Sequence, residues 1–280
     1  AFYRDSKKLE SARDKSHVNL GTMPPLSLER SLDISNVSYT YPNHDRTALE
    51  GLSLSIAAQS VVGVVGGSGA GKTTLIDLIL GLLIPQSGDV VVDNTPITSA
   101  NLRAWRRSIG YVPQSIFLTD STIAENIAFG TPPTDIDMAA VERAAKLAAL
   151  HDFVIAELPD GYQTPVGERG VRLSGGQRQR IGIARALYHD PELLVFDEAT
   201  SALDNLTEQA VMEAIHNIGH DKTIIMIAHR LSTVAKCDRI FLLEKGRVIS
   251  EGTYDDLLEN SDVFQRMVSG KTDSTSGDPK

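Results

Sequence analysis

The chain has 280 residues, of which 41% are hydrophobic, and carries a formal net charge of −9 at pH 7. This length allows one large folded domain, and the negative charge argues against general nucleic-acid binding, which depends on lysine and arginine at phosphates. No stretch approaches about 18 consecutive apolar residues, so no membrane span is predicted. The single cysteine, Cys237, excludes an internal disulfide and favours a reducing, cytoplasmic compartment.

Composition divides the chain into three parts. Residues 1–30 mix both charges with serine and reach Pro24-Pro25, which cannot continue a helix, so they are predicted to be a linker. Residues 269–280 are rich in Ser, Gly and Asp and are predicted to be a disordered tail. The folded domain is therefore expected at residues 31–268.

Within this domain, short runs of β-forming residues alternate with longer stretches of helical character. This alternation predicts an α/β domain with a mostly parallel core sheet. The predicted strands are residues 32–39, 61–65, 89–92, 193–196, 223–227 and 239–243. Residues 137–150 carry apolar residues at helical spacing, which indicates a helical subdomain that interrupts the sheet.

A phosphate-binding loop follows the predicted strand VVGVV. The sequence GGSGAGKT matches the pattern G-x-x-x-x-G-K-[ST] and opens a predicted helix, TTLIDLILGLL. Its glycines let backbone N–H groups converge on a phosphate, Lys72 reaches the β- and γ-phosphates, and the Thr73 hydroxyl coordinates magnesium. The nucleotide-binding residues predicted here are Gly66, Gly67, Ser68, Gly69, Ala70, Gly71, Lys72, Thr73 and Thr74.

Two adjacent acids end the apolar run 193–196. Asp197 is placed to hold magnesium, and Glu198 to act beside the γ-phosphate. A solvated acidic pair at a strand end is the alternative, but it leaves the preceding apolar run without a reason. The pair favours nucleotide hydrolysis.

The string LSGGQ, residues 173–177, resembles the signature motif of the ABC ATPases. Ser174 can cap the following helix while Gly175 and Gly176 leave backbone N–H groups open, which predicts a second anion site; Gln177 completes the motif. Lys72 and Ser174 lie 174 − 72 = 102 residues apart.

The resemblance covers residues 31–268 and carries several implications. It implies a P-loop NTPase fold with an N-terminal antiparallel β subdomain and an inserted helical subdomain. It also implies ATP and Mg²⁺ as ligands, with Ser174 to Gln177 binding the nucleotide of a partner in a head-to-tail dimer. Whether the dimer is formed by identical or different chains stays open.

Single residues resemble further functional positions of the family. Tyr41 resembles the aromatic residue that stacks on adenine, although a tyrosine of the core is the alternative and Tyr39 lies on the same strand. Gln114 resembles the glutamine that contacts magnesium and water, and His229 the histidine that grips the γ-phosphate and orients Glu198. The predicted catalytic residues are Glu198, His229, Gln114 and Lys72, and the predicted metal ligands are Thr73, Gln114 and Asp197. Residues 201–204 resemble a loop that crosses the dimer interface.

Two segments resemble exporter ATPases in particular. Residues 164–170 resemble the loop that precedes the signature and touches the membrane domain, and residues 117–127 resemble the segment that follows the glutamine. In the latter, Thr122 and Glu125 also form a predicted capping box. The resemblance implies a permease partner and a place at the cytoplasmic face of the cell membrane. The chain would be the C-terminal half of a half-transporter, with residues 1–30 as the connector from the last membrane helix. A separate ATPase subunit remains an alternative.

Two further features of the sequence bear on nucleic-acid functions. A DNA-repair or chromosome-organising ATPase shares the loop and the signature, but such proteins insert long coiled coils, and the 102 residues between Lys72 and Ser174 show no sustained heptads. The arginine-rich stretch 169–185 is interpreted as the solvated face of an amphipathic helix rather than as a nucleic-acid site.

Overall fold

A computed structural model describes residues 25–42, 46–167, 173–197, 211, 213, 221–228 and 231–269. The described strands form two sheets, one antiparallel and one mostly parallel. This arrangement confirms the predicted α/β class.

The antiparallel sheet has the strand order β2-β1-β4-β5. Its strands are β1 (Ser31–Thr40), β2 (Thr47–Ala57), β4 (Ser87–Val92) and β5 (Thr95–Pro96). Along β2 the side chains of Leu52, Leu54 and Ile56 are buried while their neighbours are exposed, which is the alternation of a sheet with one solvated face. The sheet confirms the predicted N-terminal antiparallel subdomain, although β2 itself was not predicted.

The second sheet has the order β10-β9-β3-β8-β7-β6, and all its neighbouring strands are parallel except β9 and β10. Its strands are β3 (Val61–Gly66), β6 (Ile109–Val112), β7 (Leu193–Asp197), β8 (Thr223–Ile227), β9 (Arg239–Glu244) and β10 (Arg247–Gly252). Every residue of β3 and β8 is buried, as expected for central strands covered on both faces. The mostly parallel core sheet is thus confirmed.

Helices cover the parallel sheet and fill the interval between β6 and β7. They are α1 (Lys72–Ile79), α2 (Leu102–Arg107), α3 (Ile123–Ile127), α4 (Met138–Leu147), α5 (His151–Glu157), α6 (Gly175–Leu187), α7 (Leu231–Val234), α8 (Tyr254–Asn260) and α9 (Asp262–Val268), with 3₁₀ turns at Pro133–Asp135 and Gly161–Gln163. Among the described residues, no helix is both long enough and apolar enough to cross a membrane.

Helix α1 ends at Ile79, earlier than the predicted helix TTLIDLILGLL. Gly81 adopts a left-handed φ of 66°, which ends the helical path. Side chains of α2 then satisfy the open carbonyls: the Trp105 indole donates to Ile79 O at 2.7 Å, and Arg106 donates to Gly81 O at 2.5 Å. The helix end therefore depends on a second helix that lies well along the chain.

The helical subdomain comprises α3 to α6. Asp137 caps α4 through bonds from the N–H groups of Ala139 and Ala140, and Ala149, at φ 51°, separates α4 from α5. Helices α4 and α6 pack together through fully buried small and branched residues such as Val141 and Ile181. The insertion predicted around residues 137–150 is present.

The chain before β1 lies against the domain. Leu28 is buried, and its N–H donates to the Glu192 carboxylate at 2.5 Å. Asp93 accepts bonds from the N–H groups of Glu29, Arg30 and Ser31 at 2.6, 2.8 and 2.9 Å. Residues 25–30, placed in the linker by composition, are therefore held by the turn between β4 and β5 and by Glu192, which directly precedes β7. Residues 1–24 and 270–280 lie outside the described ranges, and the division at residues 30 and 268 stays a prediction.

Candidate functional site

The phosphate-binding loop connects β3 to α1, as the motif predicts. Gly71 precedes α1 at φ 105°, a conformation that residues with a side chain rarely adopt. A Cβ atom there would lie 2.7 Å from Leu49 Cδ2 and 2.9 Å from Ala48 O, so the position needs glycine for space as well. Beside it, Gly246 of the β9–β10 turn donates to Ala70 O at 2.9 Å. The loop is thus packed from outside by β2 and by this turn.

Lys72 lies inside the loop rather than in solvent. Its side chain is buried, and Nζ donates to the carbonyl oxygens of Gly66 at 2.8 Å and Gly67 at 3.1 Å. These bonds hold the ammonium group at the centre of the loop. Thr73, the next residue, is exposed at the first turn of α1. A cation, a hydroxyl and a helix N-terminus therefore converge, which suits a bound polyphosphate.

A cavity of about 310 Å³ opens beside the loop. Its lining consists of Tyr41, Arg46, Thr47, Ala48, Gly69, Ala70, Gly71, Lys72, Thr73 and Thr74. Tyr41 is half-buried and its hydroxyl lies 3.2 Å from Thr74 Oγ1, whereas Tyr39 is in the core and packs edge-on against Tyr41. The ring available to a base is therefore Tyr41.

The carboxylate Asp197 ends β7 at the same sheet edge as the loop. In the parallel register, Asp197 and Val64 both pair with Ile227, so Asp197 lies level with Val64, two residues before β3 ends at Gly66. Tyr111 of β6 donates its hydroxyl to Asp197 Oδ2 at 3.3 Å, and burial, with a further contribution from Asp197, raises the pKa of Tyr111 to about 12. Burial also raises the pKa of Asp77 on α1, and the negative charge of Asp197 raises it further. The edge is thus acidic and partly desolvated.

The oxygen donors at this edge fit magnesium. Thr73 offers a hydroxyl and Asp197 a carboxylate, both ligand types that Mg²⁺ prefers. Within the described ranges there is no cluster of three His, Cys, Asp or Glu side chains that could hold a metal ion. Mg²⁺ usually keeps several waters and is held by one or two carboxylates together with substrate phosphates, which agrees with these two ligand types.

The signature begins α6. Ser174 accepts from the N–H of Gln177 at 3.1 Å, and the Gln177 side chain accepts from the N–H of Ser174 at 2.8 Å, which makes a complete capping box. Ser174 is exposed. The cap was expected for Ser174, while the reciprocal role of Gln177 follows the S-x-x-Q pattern and could have been predicted. Neither residue nor the two glycines lies in the described lining of the cavity at the phosphate loop.

The arginines of α6 correct one sequence interpretation. The apolar side of the helix is buried as expected, but its arginines are half-buried and bonded to the protein rather than forming a solvated face. Arg178 donates to Leu173 O, Arg180 to Ala149 O, and Arg185 to Phe117 O and Asn126 O, at 2.7 to 2.8 Å. Periodicity could not anticipate these bonds, because their acceptors are backbone carbonyls, most of them distant in sequence.

Several predicted site residues stay predictions. Glu198, His229 and residues 201–204 lie outside the described ranges. Gln114 is exposed and lies two residues after the end of β6. The last residue of β6, Val112, pairs with Phe196 of β7, so Gln114 follows the strand that neighbours Asp197. Sequence reasoning missed Arg46, Thr47 and Tyr111: the first two face the cavity only because β2 folds back beside the loop, and no motif marks the third.

Comparison with known proteins decides the family. The sequence profile described as "ABC transporter" matches residues 49–201, a range that includes the phosphate loop and the signature. The chain belongs to the ABC transporter family. The predicted ABC ATPase fold is confirmed by a solved structure, that of a bacterial Atm1-family ABC exporter with ATP bound. It aligns with a TM-score of 0.84 and 39% identity over 98% of this chain and 48% of the other.

The relatives of this ABC transporter chain point to export. It is 42% identical to the heterocyst differentiation ATP-binding protein HepA of Nostoc sp., over 90% of this chain and 41% of the relative. It is 44% identical to an ATP-dependent lipid A-core flippase of Saccharophagus degradans, over 84% of this chain and 40% of the relative. It is 45% identical to a leukotoxin translocation ATP-binding protein of Mannheimia haemolytica, over 84% of this chain and 33% of the relative. These names favour the exporter interpretation over DNA repair. The chain spans less than half the length of each.

Proposed function

We propose that this chain binds and hydrolyses ATP and thereby powers export of a substrate across a membrane. The observation that carries the proposal is the convergence of Lys72, Thr73 and Asp197 at one sheet edge, beside a cavity that exposes the Tyr41 ring. The flippase, translocation and exporter names of the relatives support the direction of transport.

In this proposal each residue has one task. Tyr41 stacks on adenine, and the loop N–H groups with Lys72 bind the β- and γ-phosphates. Thr73, Asp197 and Gln114 hold magnesium, which, when bound, offsets phosphate charge. The hydrogen bond from Tyr111 keeps the Asp197 carboxylate in one orientation.

Hydrolysis then requires a base and an oriented water. Glu198 directly follows Asp197 in the chain, so it is close to the proposed magnesium carboxylate. We assign it as the general base and His229 as the residue that orients it and contacts the γ-phosphate. Both assignments rest on the family resemblance.

The active unit in this proposal is a head-to-tail dimer. The signature residues, from Ser174 to Gln177, do not line the described cavity at the phosphate loop, and the exposed Ser174 begins a helix on the other subdomain. A second ATP-binding domain, of the same or another chain, supplies its signature N–H groups to the γ-phosphate. Two ATP molecules are enclosed in each dimer.

The exporter assignment also has support in the helical subdomain. The described part of the first exporter-like segment, residues 164–167, lies beside the second, residues 117–127: Ile123 N donates to Thr164 O at 3.1 Å, and Val166 N donates to Ser121 O at 3.0 Å. In this proposal the exposed residues of these segments face a permease domain at the cytoplasmic side of the membrane. A DNA-repair role, the second candidate, lacks any comparable support.

The test separates binding from chemistry. Glu198→Gln keeps the size of the side chain but removes the base, and a missing general base typically costs about 10²- to 10⁴-fold in rate. The variant should bind Mg-ATP and accumulate as an ATP-bound dimer on gel filtration, whereas Mg-ADP leaves it monomeric. Glu198→Asp is the matched control that keeps a carboxylate. Hydrolysis by Glu198→Gln at the wild-type rate would refute the role of Glu198, and inactivity without ATP-dependent dimerisation would refute the dimer.

A further inference from the structure

Arg185, near the C-terminal end of α6, contacts both ends of the segment 117–127. Its Nη1 donates to Phe117 O at 2.8 Å and its Nε to Asn126 O at 2.8 Å, while Nη2 donates to Asn126 Oδ1 at 3.3 Å. The guanidinium carbon lies 4.8 Å from the centroid of the Phe129 ring. One planar group therefore closes the segment into a loop and attaches it to the signature helix.

Asn126 makes the inside of this loop rigid. The residue is fully buried, and its Nδ2 lies within 3.0 to 3.2 Å of acceptors on Thr119, Ser121 and Thr122. Its Oδ1 accepts from Thr119 N at 3.0 Å as well as from Arg185. A buried polar side chain with this many partners specifies one arrangement of the backbone around it.

The signature helix meets the same stretch of chain one turn earlier. A Cβ atom on Gly182 would collide with the Ile116 side chain, so α6 and Ile116 are in close contact there. Gly182 and Arg185 are three residues apart and share one face of the helix. The helix thus holds the segment itself by hydrogen bonds and holds Ile116, the residue just before the segment, by packing.

The other end of the same helix begins at Ser174, 185 − 174 = 11 residues before Arg185. At a rise of about 1.5 Å per residue, the two ends are about 16 Å apart on one rigid element. The segment in turn carries Phe117, whose side chain is 61% exposed, and begins three residues after Gln114.

We propose that Arg185 is a positioning residue that makes the signature helix and the segment 117–127 move as one unit. Engagement of nucleotide at Ser174 is then transmitted to the exposed Phe117 surface through the guanidinium group. The inference rests on the proposed function, because it requires that Ser174 engage ATP. It depends on the planar fork of arginine and not on charge alone, since a lysine cannot donate to three oxygens in this geometry.

The experiment uses amide hydrogen exchange on the full chain. Arg185→Lys keeps the charge and loses the fork, and without nucleotide it should speed exchange of the hydrogen-bonded amides of residues 121–128 by about tenfold, the factor that corresponds to about 1.4 kcal/mol. Arg180→Lys, on the same helix but bonded to Ala149 O, is the matched control and should leave these amides unchanged. Phe129→Leu changes a half-exposed ring and should act like Arg185→Lys but more weakly. It provides the same test if Arg185→Lys does not fold.

Addition of Mg-ATP tests the transmission. In the Glu198→Gln protein, nucleotide should slow amide exchange both at the start of α6 and in residues 121–128. In the double variant that also carries Arg185→Lys, it should slow exchange only at the start of α6. Equal responses in both proteins, or unchanged exchange in Arg185→Lys without nucleotide, would overturn the proposal. Equilibrium ATP binding is measured in the same proteins, and hydrolysis is measured in parallel in the matching proteins that keep Glu198. If both are normal while residues 121–128 do not respond, the coupling is wrong and the proposed function stands; if ATP does not bind, the proposed function fails first.

Discussion

Tyr41 provides a quantitative test of the nucleotide site. Its ring lines the cavity beside the phosphate loop, while its hydroxyl lies 3.2 Å from Thr74 Oγ1. Stacking of a base on an aromatic side chain is worth about 1–3 kcal/mol when tested by alanine substitution. Tyr41→Ala should therefore weaken ATP binding by about 5- to 150-fold.

Two controls separate stacking from other effects. Tyr41→Phe keeps the ring and loses the hydroxyl with its bond to Thr74. Its ATP affinity should stay within about threefold of the wild type, because a neutral hydrogen bond contributes about 0.5–1.5 kcal/mol and this one acts mainly on stability. Tyr39→Phe alters the buried neighbour and should leave affinity unchanged.

The assay is isothermal titration calorimetry with Mg-ATP and, separately, with magnesium tripolyphosphate. Tripolyphosphate has no base, so Tyr41→Ala should bind it as the wild type does. An unchanged ATP affinity in Tyr41→Ala, or an equal loss for both ligands, would show that Tyr41 does not contact the base. A loss of ATP affinity in Tyr39→Phe would move the stacking role away from Tyr41.

Three further predictions concern other parts of the chain. Lys72→Ala should weaken ATP binding and abolish hydrolysis, because the ammonium group offsets phosphate charge; unchanged turnover in a coupled ATPase assay would contradict the loop assignment. Asp93→Asn should destabilise the domain by about 1–2 kcal/mol in urea unfolding, because the carboxylate accepts three backbone bonds from residues 29–31; an unchanged midpoint would contradict this. Burial, with a smaller contribution from the negative charge of Asp238, raises the pKa of Cys237 from 9.0 to about 12. As the pH rises, the thiol therefore ionises in the unfolded chain first, and between pH 9 and 12 it lowers the free energy of unfolding by up to about 1.4 kcal/mol per pH unit. Cys237→Ala should flatten that slope and leave the pH dependence between pH 7 and 8 unchanged.

The sequence alone determined the parts of this protein whose chemistry is local. The phosphate loop, the capping box at Thr122 and the cap at Ser174 each depend on residues within one turn of one another, so their spacing predicts their geometry. The mostly parallel sheet was also predictable, because strands such as β3 and β8 are buried on both faces and read as continuous apolar runs.

Tertiary structure decided what depends on partners distant in the chain. Helix α1 ends at Ile79, where Gly81 turns the chain and the Trp105 indole donates to the Ile79 carbonyl. Tyr41 rather than Tyr39 faces the cavity because β1 ends at Thr40, so Tyr39 stays in the core while Tyr41 lies beyond the strand. Arg185 binds carbonyls 59 and 68 residues away, so a pattern that shows only helical periodicity places it on a solvated face. Backbone acceptors have no sequence signature, and only the folded chain brings them to the guanidinium group.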